Sequence, residues 1–426
     1  MATGTSLSDV FPLGSRINDQ GRLEVGGCDA IELAREFGTP AYVVAEGDLR
    51  ARARAFLAAG RESGHDDFHV VFASKAFPCS AVLSLFAAEG LWCDVASGGE
   101  LHLALRAGFQ PERIVVHGNA KSEAELRMAL RHRVGLIVID NFDELERLRG
   151  VLAEGAAADR GAQPVLVRAT PDVRGQTHAK ISTGQADSKF GFSMDDAAAA
   201  LARVAEIGGL ELRGVHAHIG SQLLELDPFR AAAGELATLG EHPVWDLGGG
   251  LGVRYTERQP PAPAIEEYVT AVVAAAYANG HEKRLLIEPG RALCANAGVT
   301  LYTVESVKDN VSRWVAVDGG MSDNLRPMLY GAVHDAHVAD RFDGADACVL
   351  AGKHCESGDV LVREALLADP RAGDVVVVAA TGAYGHAMAN NYNGVPRSPV
   401  IFCREGDARV VVRRESFEDL TARDVG

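Results

Sequence analysis

Residues 69–75 read HVVFASK, an apolar β-branched run that ends on a lysine, and residues 80–89 after it carry Ala and Leu at helical spacing. Seven more runs of the same kind follow: 92–97 (WCDVAS), 114–118 (IVVHG), 136–140 (LIVID), 165–170 (VLVRAT), 214–220 (GVHAHIG), 244–250 (VWDLGGG) and 285–290 (LLIEPG). Helix-like stretches lie between them, among them 98–107, 122–131 and 143–158. Near-continuous apolar runs of this length are what a parallel strand buried on both faces requires. Eight strand–helix units in about 220 residues fit a (β/α)8 TIM barrel. Polar residues collect at the carboxyl ends of the runs: Lys75, Ser97, His117, Asp140, Arg168, His218, Gly248 to Gly250 and Glu288. That end is the active face of a barrel. A doubly wound sheet places its ligands at the same end, so the polar ends do not by themselves choose between the two.

The texture changes after about residue 295. Residues 299–307, 313–317, 374–380 and 409–414 read as strands separated by Gly, Pro and Asp turns. A β-rich C-terminal domain is expected over 295–426, taking up the N-terminal segment 1–35 as well, with the barrel over 36–294. Residues 260–263 read as a loop between the seventh strand and its helix.

The 426-residue chain is 47% hydrophobic and 23% charged, ordinary for a globular protein of two or more domains. Its 42 basic and 58 acidic residues give a formal charge of −16, which argues against nucleic acid or an anionic membrane as partner. A local basic pocket for a small anion is compatible with that balance. No apolar stretch long enough to span a membrane is present, and no secretory signal is visible in the first 20 residues. The seven cysteines form no CxxC pair and no zinc spacing, which fits reduced thiols in a cytoplasmic protein and no metal site.

Several motifs carry chemistry. Lys75 suits a Schiff-base lysine, activated by partial desolvation, and equally a lysine that extends out of a strand end into solvent. Gly248–Gly249–Gly250–Leu251–Gly252 suits a phosphate nest, and its spacing is not that of a dinucleotide fingerprint. Its place after the seventh strand is where barrels hold phosphate. Glu288–Pro289–Gly290–Arg291 offers a carboxylate for a pyridine nitrogen, a backbone amide for phosphate and a guanidinium for a carboxylate. A strand-end ion pair is the plainer alternative. His216 and His218, two apart, point to one side of a strand, as a metal pair without an evident third ligand or as an imidazole packed on a cofactor ring. Ser221 could bind phosphate. Residues 352–359 (GKHCESGD) place Cys355 in a charged, turn-prone stretch that suits an exposed, reactive thiol. Residues 319–330 and 381–393 read as binding loops or solvated turns.

Taken together, these motifs resemble the diaminopimelate decarboxylases, within the fold-type III pyridoxal-phosphate enzymes, whose barrel is alanine-racemase-like and is joined to a β-domain. The resemblance spans about residues 38–414 through FASKAF, DVASGGEL, HGNAKS, THAKISTG, SKFGF, HAHIGSQ, DLGGGLG, EPGR, VDGGMSDNLRPMLYGA, GKHCESGD and ATGAYGHAM. It implies pyridoxal 5'-phosphate as cofactor, held as a Schiff base by Lys75. His218 would stack on the ring and Glu288 would pair with its nitrogen. Ser221, Gly248, Gly249, Gly250 and the Pro289–Gly290–Arg291 turn would hold the phosphate, with Tyr384 beside it. Arg291, Arg326, Tyr330 and Tyr384 would bind the substrate, meso-diaminopimelate. In a homodimer with shared active sites, Cys355 would donate the proton and Glu356 would bind the distal ammonium, both in the second subunit's site. The implied reaction is decarboxylation to L-lysine, the last step of lysine biosynthesis. Departures from the family at Ala120, Asn390 and Ser398–Pro399 remove none of these roles. An ornithine or arginine decarboxylase is the nearest rival; an aspartate usually follows the cysteine in the ornithine enzymes, and Glu356 stands here. A racemase would need an acid–base tyrosine opposite the lysine. A non-catalytic pyridoxal-phosphate carrier would usually consist of the barrel alone.

Overall fold

In a computed structural model, which describes residues 5–155, 161–173 and 188–425, the chain forms two compact units. The THAKISTG motif at 177–184 and the end of the helix expected over 143–158 lie outside the described residues.

One unit is a closed barrel of eight parallel strands joined in chain order: Phe68–Ala73, Trp92–Val95, Ile114–Val116, Leu136–Ile139, Gln163–Arg168, Leu210–His216, Val244–Asp246 and Arg284–Ile287. The eighth pairs with the first, which closes the ring without an edge. The architecture is the (β/α)8 barrel, and the eight apolar runs are its eight strands. Val71, Trp92, Val115, Leu136, Val138, Leu166, Val244 and Leu286 form a buried cluster from seven of these strands. The other faces pack on helices, which start soon after the first four strands and the eighth and after longer links from the fifth, sixth and seventh. Ser97, Ser122, Asn141 and Ser193 each accept a backbone N–H in the first turn of the helix that follows, which is why those helices begin where they do. Strand ends and helix starts thereby converge on one face, and the functional residues sit at the strand ends and on the links between them.

The other unit is a β-domain. Its main sheet runs Val360–Leu367, Asp346–Ala351, Arg313–Val317, Gly298–Asp309, Ala41–Ala45, Val400–Arg404, Asp407–Val412, with Val375–Val378 and Ala336–Val338 attached to the long Gly298–Asp309 strand. The N-terminal segment forms a small four-stranded sheet over Thr5–Asp29, followed by the helix Ala30–Phe37.

The bounds differ from those expected from sequence. Residues 1–51, 253–261 and 293–426 form the β-unit, and 52–252 with 262–292 form the barrel. Ala41–Ala45, expected in the barrel, pairs with Gly298–Leu301 and Val400–Cys403 instead. It is buried at every position, and so are four of the eight barrel strands, so burial and composition cannot tell the two sheets apart. Four strands of the C-terminal part of the β-unit, at 336–338, 346–351, 360–367 and 400–404, went unread in the sequence, as did Ala41–Ala45 and the short strands of Thr5–Asp29.

Candidate active site

The barrel's polar strand ends meet around Glu288, one residue past the eighth strand. Its Oε1 lies 2.6 Å from His117 Nε2, just past the third strand, and its Oε2 lies 3.3 Å from His216 Nε2, the last residue of the sixth. All three side chains are buried. Burial alone would raise the Glu288 carboxyl; the two imidazoles outweigh it and hold Glu288 well below the usual carboxylate range. The other acids of the site go the opposite way. Burial pushes Asp94 up to about 6, and burial with the charge of Glu288 pushes Asp246 well above the ordinary value. Arg168 reaches toward Asp140, 3.7 Å away, and its guanidinium lies 4.5 Å over the Phe190 ring.

His218 does not share a strand face with His216, because the strand ends at His216. Its Nδ1 accepts the Gly249 N–H at 3.0 Å, so a neutral ring carries its proton on Nε2. Burial, with Lys75 and Arg168 nearby, lowers its proton affinity well below the ordinary histidine value. His216 pairs instead with Glu288 and stands edge-on to His117, ring centres 4.9 Å apart. Near His216 and His218 the sequence itself offers no evident third ligand. In the fold His117, His216, Asp246 and Glu288 place their ligand atoms within 4.8 Å of one another, and His218 is not among them.

Lys75 stands exposed on the short turn Ser74–Ala76 between buried neighbours, rather than buried at the strand end. The glycines behind it are dictated by space. A Cβ on Gly249 would sit 2.1 Å from the Glu288 carbonyl oxygen, and one on Gly290 would sit 3.0 Å from the Ala73 Cβ. Gly248 and Gly250 have positive φ of 63° and 125°, and Glu288 N–H donates to the Gly248 oxygen at 2.8 Å. Arg291 donates to Ser221 Oγ at 2.8 Å, which joins the sixth and eighth strand ends. The barrel thus brings together Lys75, His218, Ser221, Gly248 to Gly250, and Glu288 to Arg291.

The remaining expected site residues lie in the β-unit. Arg326 is buried at the start of the helix Arg326–Tyr330, its guanidinium 4.4 Å over the Tyr255 ring. Tyr384 holds a positive φ of 63°, and its side chain is partly buried. Cys355 and Glu356 are exposed, whereas the other six cysteines are buried. Cys355 N–H donates to Asn393 Oδ1 at 2.9 Å.

Two buried acids that the sequence reading passed over shape these loops. Asp359 accepts from Met321 N–H at 2.7 Å, His354 N–H at 2.9 Å and the His354 ring at 2.8 Å, tying the 319–325 loop to the cysteine loop. A Cβ on Gly352 would lie 2.1 Å from Asp359, and one on Gly320 2.5 Å, a signal the GK and GG pairs carried in the sequence. Asp323 accepts from Gly320 N–H at 2.9 Å and from the Tyr302 hydroxyl. Burial pushes Asp323 up to about 7, against the hydrogen bonds it receives. Between the ordinary carboxylate range near 4 and pH 7, native Asp323 therefore keeps a proton that the unfolded chain has released. Its contribution to stability falls as pH rises through that window. Asp323→Asn is expected to flatten the decline in urea midpoint from pH 4.5 to pH 7; an unchanged slope would refute the assignment.

A closed parallel barrel with a buried anion, a neutral histidine, a glycine cradle and an exposed lysine at its carboxyl-end face defines a pyridoxal-phosphate-binding barrel enzyme. Residues 47–295 match the family model of the pyridoxal-dependent decarboxylases, pyridoxal binding domain. The diaminopimelate decarboxylase of Bacillus subtilis is 45% identical over 436 residues, covering 96% of this chain and 97% of that protein. That of Actinosynnema pretiosum is 46% identical, covering 98% and 95%. The crystal structure of the M. jannaschii diaminopimelate decarboxylase with L-lysine superposes with a TM-score of 0.90 at 33% identity, over 97% of this chain and 98% of that one. The chain belongs to the diaminopimelate decarboxylase family. It is a pyridoxal-phosphate-dependent carboxy-lyase, and the family catalyses the last step of lysine biosynthesis. Among the described residues, no helix is long and apolar enough to cross a membrane.

Proposed function

We propose that this chain decarboxylates meso-2,6-diaminopimelate to L-lysine and carbon dioxide, as a cytoplasmic homodimer whose subunits share active sites. The observation that carries the reading is the joint presence of Lys75 and a low-pKa Glu288 in the barrel with an exposed Cys355–Glu356 pair on the pinned loop of the β-unit. Similarity at 45% and 46% identity over nearly the full length to enzymes of that name supports the substrate. The family's biosynthetic role supports the location.

The residues present fit pyridoxal phosphate. The Gly248–Gly250 turn and Gly290 leave no room for side chains, so backbone amides can approach a phosphate, with Ser221 and Arg291 joined beside them. When bound, the cofactor supplies an electron sink for the carbanion left by departing carbon dioxide. In this reading Lys75 anchors it through the ε-amine. Glu288, an anion in a buried site, holds the proton on the pyridine nitrogen. Neutral His218, fixed by Gly249, supports the ring face without adding charge beside it. Tyr384 adds a hydroxyl at the phosphate. Arg291, Arg326 and Tyr330 clamp the distal carboxylate, and Glu356 pairs with the distal ammonium. The α-carbon to carboxylate bond breaks, and the Cys355 thiol of the second subunit returns a proton to the α-carbon. Recognising both charges of the distal end excludes shorter diamino acids, which lack its carboxylate.

A substrate panel tests the reading. Holoenzyme should absorb in the near-visible and release carbon dioxide from meso-diaminopimelate with L-lysine as product. Ornithine, arginine and lysine should react at least about 100-fold more slowly, because their use would leave the buried clamp unpaired. Faster turnover of ornithine or arginine would overturn the substrate assignment.

A further inference from the structure

Glu288 owes its charge state to neighbours that reach it across the barrel. His117 follows the third strand, His216 ends the sixth and Glu288 follows the eighth, and none of these strands pairs with another of the three. The groups that act on this carboxylate come from five other strand ends: Asp94, His117, Arg168, His216 with His218, and Asp246, with Lys75 beside Asp94 and His218 and Asp140 beside Arg168. A carboxylate crowded by other buried acids ordinarily takes up a proton, as Asp94 and Asp246 are driven to do. Glu288 departs from that rule, and what distinguishes it is one imidazole nitrogen at each oxygen, 2.6 Å and 3.3 Å away. Burial lowers His216 to about 4, so it is neutral at physiological pH and can donate only an N–H.

These two histidines with Asp246 and Glu288 also make a zinc-like donor set. The distances favour a proton over a metal. Two ligands on one tetrahedral zinc with bonds of about 2.0–2.1 Å lie about 3.3 Å apart. His117 and Glu288 are at 2.6 Å, closer than two ligands of one zinc can stand.

We propose that His117 and His216 are positioning residues that act through Glu288: one imidazole nitrogen beside each carboxylate oxygen, 2.6 Å and 3.3 Å away, fixes Glu288 as the anion that keeps the cofactor's pyridine nitrogen protonated. The proposal rests on the cofactor placement given under Proposed function. It makes a division of labour among three histidines at one strand-end face. His218 serves the ring face, and the other two serve the ring nitrogen at one remove.

The test uses holoenzyme reconstituted with pyridoxal phosphate labelled with 15N in the ring, and in parallel with the 1-deaza analogue, whose ring has no nitrogen. His117→Phe and His216→Phe keep the ring shape and remove the donor. Each should lower kcat about 10–100-fold with KM changed less than about twofold, and move the 15N shift from the pyridinium toward the pyridine value. His117→Gln, which retains an N–H, should restore part of both. In the deaza enzyme the same substitutions should change kcat less than about twofold, since no ring nitrogen is left to protect. A pyridinium shift that persists in the double variant, or equal losses with both cofactors, would overturn the proposal. So would stoichiometric zinc bound by His117, His216, Asp246 and Glu288 in the purified enzyme. If the Phe variants do not fold, His117→Gln and His117→Asn, which differ in reach, give the same 15N comparison. Failure of the wild-type chain to take up the cofactor on Lys75 would instead refute the cofactor placement itself.

Discussion

A mixture of two inactive chains, Lys75→Ala and Cys355→Ala, is expected to regain about one quarter of wild-type activity per chain if subunits exchange freely. Each single substitution removes a group that the proposed reaction cannot replace. Loss of the proton donor alone costs about 10²–10⁴-fold. Random pairing makes half of the dimers hybrid. In a shared-site hybrid, one site combines both lesions and the other combines intact Lys75 with intact Cys355. If each chain instead built its site from its own Cys355, no hybrid would contain an intact site and the mixture would stay inactive. The structural basis is the contrast among the cysteines. Six are buried, and Cys355 is exposed on a loop whose backbone is held by Asn393 and whose far end is pinned by Asp359. Native mass spectrometry would establish the exchange, and no recovery despite it would eliminate the shared site.

Lys121→Met is expected to destabilise the barrel by about 3–5 kcal/mol, the largest effect on stability foreseen for a single substitution in this chain. Lys121 is almost wholly buried. Its ammonium donates to the Gly118 and Val138 carbonyls, each at 2.7 Å, and lies 2.8 Å from Glu144 Oε1. Burial pulls Lys121 down and Glu144 up, toward neutrality, and their mutual attraction opposes both shifts. Removing the lysine leaves Glu144 buried without its counter-charge. Lys121→Met with Glu144→Leu should recover at least about half of the loss, because an apolar pair of similar volume carries no desolvation cost. Urea midpoints of the three chains decide it, and a single variant within about 1 kcal/mol of wild type would refute the account. Lys121 also anchors the link that follows His117, so reduced affinity for pyridoxal phosphate should accompany the loss.

Much of the candidate site was legible because its chemistry is local. A lysine closing an apolar run, a glycine triplet after the seventh strand, a Glu-Pro-Gly-Arg turn after the eighth and a cysteine among charged turn residues each declare themselves within a few positions. Exposure of Cys355 was foreseen on that basis. Lys75 was read equally as partly desolvated or as reaching into solvent, because strand-end sequence does not report how open the barrel's active face is. His117 and Asp140 were placed at strand ends without a role, since a role there depends on what stands opposite.

The eight strands, their order and the end that carries chemistry follow from the chain alone, since apolar periodicity and helix caps act over ten residues or fewer. The tertiary structure settled three things that no local pattern encodes. It assigned Ala41–Ala45 to the β-unit, since a fully buried strand fits either sheet equally well and only its pairing partners differ. It joined residue 321 to residue 359 through one carboxylate. It also brought His117 and His216 onto Glu288, 171 and 72 residues away along the chain. Ring closure of the barrel makes neighbours of residues that chain order separates, and the charge of the site depends on those neighbours.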